Sequence, residues 1–438
     1  MPVIEIEQNP RSKACVICPV ISAQKDGMSC VARLEEAVGL ARAINLDVVH
    51  REIVRLREVK PGTFISQGIL DNLIPVLAEK NVELLIVDNA ITPIQQRNLE
   101  KKLNLKVIDR TALILEIFGE RAQTKEGKLQ VELAHLTYQR SRLVRSWTHL
   151  ERQRGGAGFL GGPGETQIEL DRRLIDEKIV RIKKDLEKVR QTRLLQRGAR
   201  QRVPYPVVAL VGYTNAGKSS VFNRLSAAGV FAENLLFATL DNTLRKIVLP
   251  SGREVILSDT VGFISDLPHE LIMSFRATLE EVLEADIVVH VRDISNENSD
   301  IQKKDVLSVL KSLGLDEIEH QDCYIELLNK IDLLDDQQRR WVEETKRRSP
   351  GVLPVSALTG EGCKEFLDLL DKRLSGKRQK ISLSVENADG ALAAWIYRHA
   401  EVLSAVVGER QTDFEILIEP ADLQRLRQKT KLPFRTLG

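Results

Sequence analysis

Gly212-Tyr213-Thr214-Asn215-Ala216-Gly217-Lys218-Ser219 fits the spacing G-x-x-x-x-G-K-[ST]. The run before it, Val207 to Val211, is apolar and mostly β-branched, as a buried parallel strand should be. Ser220 to Leu225 read as the first turns of a helix. Strand, glycine loop and helix start are the context this pattern needs. The glycines let backbone N–H groups close around phosphates, and the helix dipole favours their negative charge. Lys218 is expected at the β- and γ-phosphates and the Ser219 hydroxyl on Mg²⁺.

At 438 residues the chain is too long for one ordinary core, so several domains are expected. With 43% hydrophobic and 29% charged residues it reads as globular, and its formal charge of +2 conceals uneven patches. The longest apolar runs, such as Leu84-Leu85-Ile86-Val87, have the length of buried strands, far short of a membrane span. Met1 to Glu7 lack a basic start and an apolar signal core, so a cytoplasmic location is expected, with peripheral membrane attachment kept open. The five cysteines are an odd number, against a secreted disulfide framework. Cys15 and Cys18 fall in a strand-like run that points them to opposite faces, as buried structural thiols.

Residues 1–120 alternate strand-like and helix-like runs, the pattern of a small parallel α/β domain. Val31, Leu34, Ala37, Val38 and Ala41 make one helical face. No glycine-rich phosphate loop occurs there. Thr111 to Arg152 read as one long helix whose far end is basic and aromatic through Tyr138, Arg140, Arg142, Arg145, Trp147 and Arg152. A glycine-rich loop, Gly155 to Gly164, follows, and then a second helix from about Thr166 to Arg197. In that helix Ile168, Ile175, Ile182 and Val189 recur every seven residues, with Ile179 and Leu186 offset by four. Such a seam predicts an antiparallel helical hairpin with the glycine loop at its tip, over residues 121–202. The second helix ends basic, and with the hairpin and glycine tip this suggests contact with nucleic-acid phosphates. The candidate RNA-binding residues are Gly155, Gly156, Phe159, Gly161, Gly162, Arg190, Arg193 and Arg197. A nucleotide-binding domain is expected over 203–375. Beyond it lie a linker and a small α/β domain over 376–438, with a helix from Gly390 to Leu403.

Three further elements narrow the nucleotide. Asp259-Thr260-Val261-Gly262 ends an apolar strand; the carboxylate can hold Mg²⁺ through water and the Gly262 amide can meet the γ-phosphate. Asn329-Lys330-Ile331-Asp332 ends another, and the Asp332 carboxylate can accept from guanine N1–H and N2–H₂. Adenine lacks that donor pair, so GTP is selected. Lys330 is expected over the base, Asn329 tying the loops together, and Ser356-Ala357-Leu358 presenting an amide to guanine O6. Phe237-Ala238-Thr239-Leu240-Asp241 lies where a switch threonine belongs, with Thr243 as an alternative that spacing alone does not eliminate. All these elements fall at strand ends, where open α/β sheets bind ligands.

Taken together, these motifs resemble the HflX family of translational GTPases. Gly161-Gly162-Pro163-Gly164-Glu165-Thr166-Gln167, Gln95 to Glu100 and Gly127 to Leu133 carry the resemblance beyond the nucleotide motifs. It spans about residues 30 to 375, more loosely the tail. Ser220, where the family usually has Thr, and the idiosyncratic Ser146 to Arg152 segment depart from it. The resemblance implies a P-loop GTPase that binds the large ribosomal subunit and splits stalled ribosomes under stress, its hairpin directed to the peptidyl-transferase region. It selects Thr239 as the second Mg²⁺ ligand, leaving Lys218, Thr239 and Gly262 as candidate catalytic residues. Asn215 matches the P-loop asparagine that coordinates K⁺ in some related GTPases, and a monomer is expected. Phe263, after Gly262, offers no polar group to the attacking water, so slow intrinsic hydrolysis is expected. Two other classes compete: a metabolic GTPase, for which the hairpin has no use, and an RNA-remodelling protein driven by ATP at residues 1–120.

Overall fold

The computed structural model describes residues 12–21, 29–153, 163–200, 205–226, 236–237, 240, 242–265, 276–375 and 379–418, and, further on, 422–423, 425–426, 430 and 435–437. Within these, the side chains at 144–153, 163–168, 190, 193–200, 276–278, 280, 375 and 435–437 are not described. The α/β class expected from the alternating pattern is what the chain forms.

The first sheet is four-stranded and parallel, in the order β2-β1-β3-β4. Its elements run β1 (Lys13–Ile21), α1 (Cys30–Ala43), β2 (Asp47–Leu56), α2 (Gln67–Glu79), β3 (Leu84–Val87), α3 (Pro93–Leu103), β4 (Lys106–Asp109) and α4 (Arg110–Arg121). Both faces are covered, so strand residues divide by parity: Cys15, Leu85 and Val87 enter one core, Val16, Cys18 and Ile86 the other. Burial pushes both the Cys15 and the Cys18 thiols up to about 12. On α1 the apolar face holds except at Val31, which is 61% exposed in the first turn.

The single long helix expected after residue 110 is two. α4 ends where Ala122 turns extended (φ −68°, ψ 109°), and α5 (Lys125–Gln153) restarts with the Thr124 Oγ1 accepting from the Gly127 amide at 2.9 Å. Chain direction must change there, because α4 packs on the first sheet while α5 leaves it to pair with α6 (Pro163–Arg200). The seam joins Leu136 to Ile179 and Ile182, and Arg140 meets Asp176 at 3.0 Å, so the two helices are antiparallel. Two residues read as part of a basic, aromatic arm are committed at the hairpin's root. Tyr138 donates to Asp109 Oδ1 at 2.9 Å, and Arg142 to Asp109 Oδ2 at 3.0 Å.

The second sheet has six strands in the order β10-β9-β8-β5-β7-β6. It is built from β5 (Val207–Gly212), α7 (Lys218–Ser226), β6 (Thr243–Val248), β7 (Glu254–Asp259), α8 (Arg276–Leu283), β8 (Ile287–Asp293), α9 (Ser299–Ser312), β9 (Tyr324–Asn329), α10 (Asp336–Arg348), β10 (Val352–Pro354) and α11 (Cys363–Ser375). Only β6, at the edge, is antiparallel; it places Thr243 opposite Asp259 in a strand pair.

The last sheet is antiparallel, β12-β13-β11-β14. It comprises β11 (Gln379–Glu386), β12 (Glu401–Val407), β13 (Gln411–Ile418) and β14 (Arg435–Leu437), with α12 (Gly390–His399) between β11 and β12. The helix expected as far as Leu403 stops at His399, because Ala400 is extended (φ −139°, ψ 151°) and the β-branched Val402, Val406 and Val407 pair along β13 instead.

The two-sided burial of the first sheet sets a test. Leu85→Ala should cost about 2–5 kcal/mol of stability through the cavity it leaves. Val31→Ala should stay within about 0.5 kcal/mol. Urea unfolding of each variant measures both.

Candidate nucleotide site

Five parallel strands deliver their C-terminal ends to one rim, and the phosphate loop, the Asp259 stretch, the Asn329 stretch and the Ser356 stretch all begin there. From β5 the chain turns through Asn215 (φ 59°) and Gly217 (φ 91°) into α7. A Cβ on Gly217 would lie 2.2 Å from Asn329 Nδ2, so the position requires glycine twice over. Lys218 is 6% exposed and donates to the Gly212 and Tyr213 carbonyls at 3.1 and 2.9 Å. Burial pulls its ammonium down to about 8, while neighbouring Asp259 opposes the shift. Ser219 Oγ donates to Asp259 Oδ2 at 2.7 Å, bringing together two of the three residues read as serving a metal.

The stretch after β7 folds over this loop. Thr260 Oγ1 donates to the Leu210 carbonyl at 2.6 Å, and Val261 is buried. Phe263 pairs with the loop through its amide on Gly212 O (3.1 Å) and its carbonyl accepting from Thr214 N (2.7 Å). Gly262 is thereby pressed in: a Cβ there would lie 2.9 Å from Thr214 Cγ2 and 3.1 Å from Lys218 Nζ. Thr214 Oγ1 is buried with no hydrogen-bond partner among the described residues. A crowded glycine, a buried ammonium and an unpartnered hydroxyl converge on one spot, which fits an anionic group.

On the other side of the loop, Asn329 Nδ2 donates to Ala216 O at 2.8 Å and its Oδ1 accepts from the Ala357 amide at 3.1 Å. Lys330 takes a left-handed conformation (φ 68°). Its Nζ donates to Asp293 Oδ2 at 2.7 Å, while Asp293 Oδ1 accepts from the Ser295 amide and hydroxyl at 3.1 and 2.6 Å. After the short turn at Ile331, Asp332 Oδ1 accepts from the buried Ser356 hydroxyl at 2.5 Å. Leu358 is 78% exposed, and its carbonyl and that of Ala357 both accept from Arg224 on α7. Asp293 and Arg224 were not singled out in the sequence. Asp293 ends the apolar strand β8 at the same rim, a signal that could have found it. Arg224 sits on a helix face with nothing in its neighbours to mark it.

Phe237 (φ 56°) and Leu240 are buried beside this rim. Ala238, Thr239 and Asp241 lie outside the described residues, as do Gly155, Gly156, Phe159, Gly161 and Gly162. Arg190, Arg193 and Arg197 fall on α6, their side chains outside the description.

Comparison with known proteins agrees with this arrangement. Residues 31–119 match a family model described as GTP-binding GTPase N-terminal, and 121–200 match GTP-binding GTPase Middle Region. Residues 207–330 match 50S ribosome-binding GTPase, and 342–415 match HflX C-terminal domain. GTPase HflX of Magnetococcus marinus is 47% identical over 399 residues, covering 91% of each chain. The chain belongs to the HflX family. GTPase HflX of Escherichia coli is 43% identical over 339 residues, 77% of this chain and 78% of that one. A GTP-binding protein of the archaeon Sulfolobus solfataricus, solved with GDP, is 22% identical and covers 83% of this chain and 98% of its own, with a TM-score of 0.43. As an HflX-family member this chain is a GTP-binding GTPase. Among the described residues no helix is long and apolar enough to cross a membrane.

Gly217→Ala should lower GDP and GTP affinity alike, by roughly a hundredfold or more, because the methyl displaces Asn329 and strains a left-handed residue. Fluorescent-nucleotide titration measures it, and a change under threefold would show that the loop relaxes around the methyl.

Proposed function

We propose that this GTPase binds the large subunit of the ribosome, alone or within the 70S particle, and couples GTP binding and hydrolysis to splitting or rescue of ribosomes under stress. The observation that carries this reading is the hairpin. α6 runs to Arg200 and β5 begins at Val207, so the paired helices lead within a few residues into the strand of the phosphate loop. The C-terminal end of α6 carries Arg190, Arg193 and Arg197, and the sequence between α5 and α6 supplies Gly155, Gly156, Phe159, Gly161 and Gly162, which suit RNA phosphates and close backbone approach. The description of the matched GTPase region, 50S ribosome-binding, supports the same partner. The reading treats residues 1–120, 121–202, 203–375 and 376–438 as four units of a monomer acting in the cytoplasm.

In this reading Lys218 neutralises the β- and γ-phosphates, and its depressed ammonium is restored by their charge. The Gly262 amide meets the γ-phosphate. Asp332 accepts from guanine, Lys330 is held against the base by Asp293, and the Ala357 amide is aimed by Asn329 at O6. Mg²⁺, when bound, would offset the charge of the phosphates. Ser219 and Thr239 would hold it directly and Asp259 through water; the Ser219–Asp259 pair fits such a hydroxyl-and-carboxylate donor set. Asn215 would hold K⁺. Phe263 is 1% exposed and turned into the core, so its side chain supplies nothing to orient the attacking water. A partner must complete that step, which is why the ribosome is placed as activator.

Asp332→Asn should move preference from GTP toward XTP, whose C2 oxo group replaces a donor; affinities for GTP, XTP and ATP test it. Large subunits should stimulate GTP turnover by about tenfold or more at low salt, with the effect falling steeply as salt rises. Deleting residues 155–164 should remove the stimulation and spare GTP binding. A wild type that ribosomes leave unstimulated at low salt would overturn the proposal and favour a metabolic GTPase.

A further inference from the structure

Arg110, just past the end of β4, and Glu36 meet the phosphate loop and the stretch after Gly262. Glu36, on α1, has a side chain only 8% exposed. Its Oε1 accepts from Arg110 Nη2 at 2.5 Å and from Ser265 Oγ at 3.0 Å, and its Oε2 accepts from the Tyr213 hydroxyl. Arg110, from α4, also binds Asp88 at 2.5 Å. Burial works against its charge, but Asp88 and Glu36 outweigh that and hold it firmly protonated. Every polar group of Ser265 is engaged. Its amide donates to the Tyr213 oxygen at 2.8 Å, its carbonyl accepts from Arg110 Nη2 at 2.9 Å, and its hydroxyl lies between Glu36 and Tyr213.

The consequence falls on Gly262. Phe263 is tied to the phosphate loop on both sides of its peptide unit, and Ser265 is tied to α1 and α4. The segment between β7 and Ser265 is clamped at both ends, and its glycine is held close beside Lys218. Two further contacts press from the same domain. Phe118 of α4 meets Phe237 edge-to-face with centroids 4.8 Å apart, and α1 approaches Leu236 so closely that a Cβ on Gly39 would lie 3.0 Å from its Cδ1.

We propose that Glu36 is a positioning residue for GTP hydrolysis: from the N-terminal domain it fixes Ser265, and through it the Gly262 amide, where the γ-phosphate is received. A preorganised donor costs no ordering when the phosphate arrives, whereas a loose one must be ordered at the expense of binding and rate. The inference rests on the reading that Gly262 meets the γ-phosphate. It therefore concerns GTP and spares GDP, which lacks that group.

The test uses the full chain without ribosomes, reading single-turnover GTP hydrolysis and the affinities for GDP and a non-hydrolysable GTP analogue. Glu36→Ala should lower the rate and the analogue-to-GDP affinity ratio by about tenfold each, as expected for a lost charge-assisted contact, with GDP affinity held within about twofold. Ser265→Ala, made on the other side of the contact, should lower the same two quantities, and the double variant should be no worse than Glu36→Ala alone. Glu35→Ala is the control, since Glu35 faces outward to Arg51. A folded Glu36→Ala with wild-type rate and ratio would overturn the proposal, as would a loss shared equally by GDP. Should Glu36→Ala fail to fold, Ser265→Ala decides on the same readouts. Gly262→Ala separates the underlying reading: an unchanged affinity ratio there would refute the γ-phosphate assignment. A lowered ratio there beside an unaffected Glu36→Ala would refute only the role of Glu36.

Discussion

Asn329 has no charge and faces no solvent, yet three loops depend on its amide. Its nitrogen holds Ala216 in the phosphate loop and its oxygen holds Ala357 in the last rim loop. Its own backbone leads into Lys330 and Asp332. One side chain thus fixes the distance between the phosphate end and the base end of the site. Gly217 is glycine because nothing larger could stand against that amide. A buried amide making its hydrogen bonds is rigid for the same reason that an unmade one is costly: water cannot replace the partner it would lose.

Around this tie the charged groups are arranged in pairs, partly buried at Lys330 and Asp293 and fully buried at Arg292 and Glu326. Lys330 is drawn to Asp293, and Arg292 to Glu326 and Asp300, along adjacent strand ends. His290, buried among them beside Tyr324, is pushed down to about 3 by desolvation and so stays neutral. These pairs add little net stability, since desolvation offsets much of their attraction. What they fix is geometry. Lys330 cannot wander in solvent, and β8 and β9 cannot slip in register without stranding a charge.

The same logic operates between domains. Glu36, Arg110 and Asp88 would be unfavourable as separate buried charges, and they are stable because they meet one another and the hydroxyls of Tyr213 and Ser265. At the hairpin root, Asp109 does comparable work by receiving both Tyr138 and Arg142. The hairpin, the first sheet and the phosphate loop are therefore joined by polar contacts with defined directions as well as by an apolar core that runs through both sheets.

Short-range pattern was enough for the nucleotide loops. Gly212 to Ser219, Asp259 to Gly262 and Asn329 to Asp332 each follow an apolar strand, and strand, turn and motif are all encoded within about ten residues. The seven-residue seam of the hairpin was legible for the same reason, through Ile175, Ile182 and Leu186. Where local pattern was ambiguous, longer-range packing decided. Residues 111–152 have helical periodicity throughout, but the chain must leave the sheet at Ala122, and only the sheet's position requires that break. Residues 401–407 continue an apolar run, and pairing with β13 made them a strand. Arg224, Glu36 and Ser265 carry no local signature, because each acts on a partner far along the chain: Glu36 and Ser265 are 229 residues apart. The sequence by itself determined which segments could cradle a nucleotide. Which distant side chains would hold those segments still was decided only when burial removed water as their alternative partner.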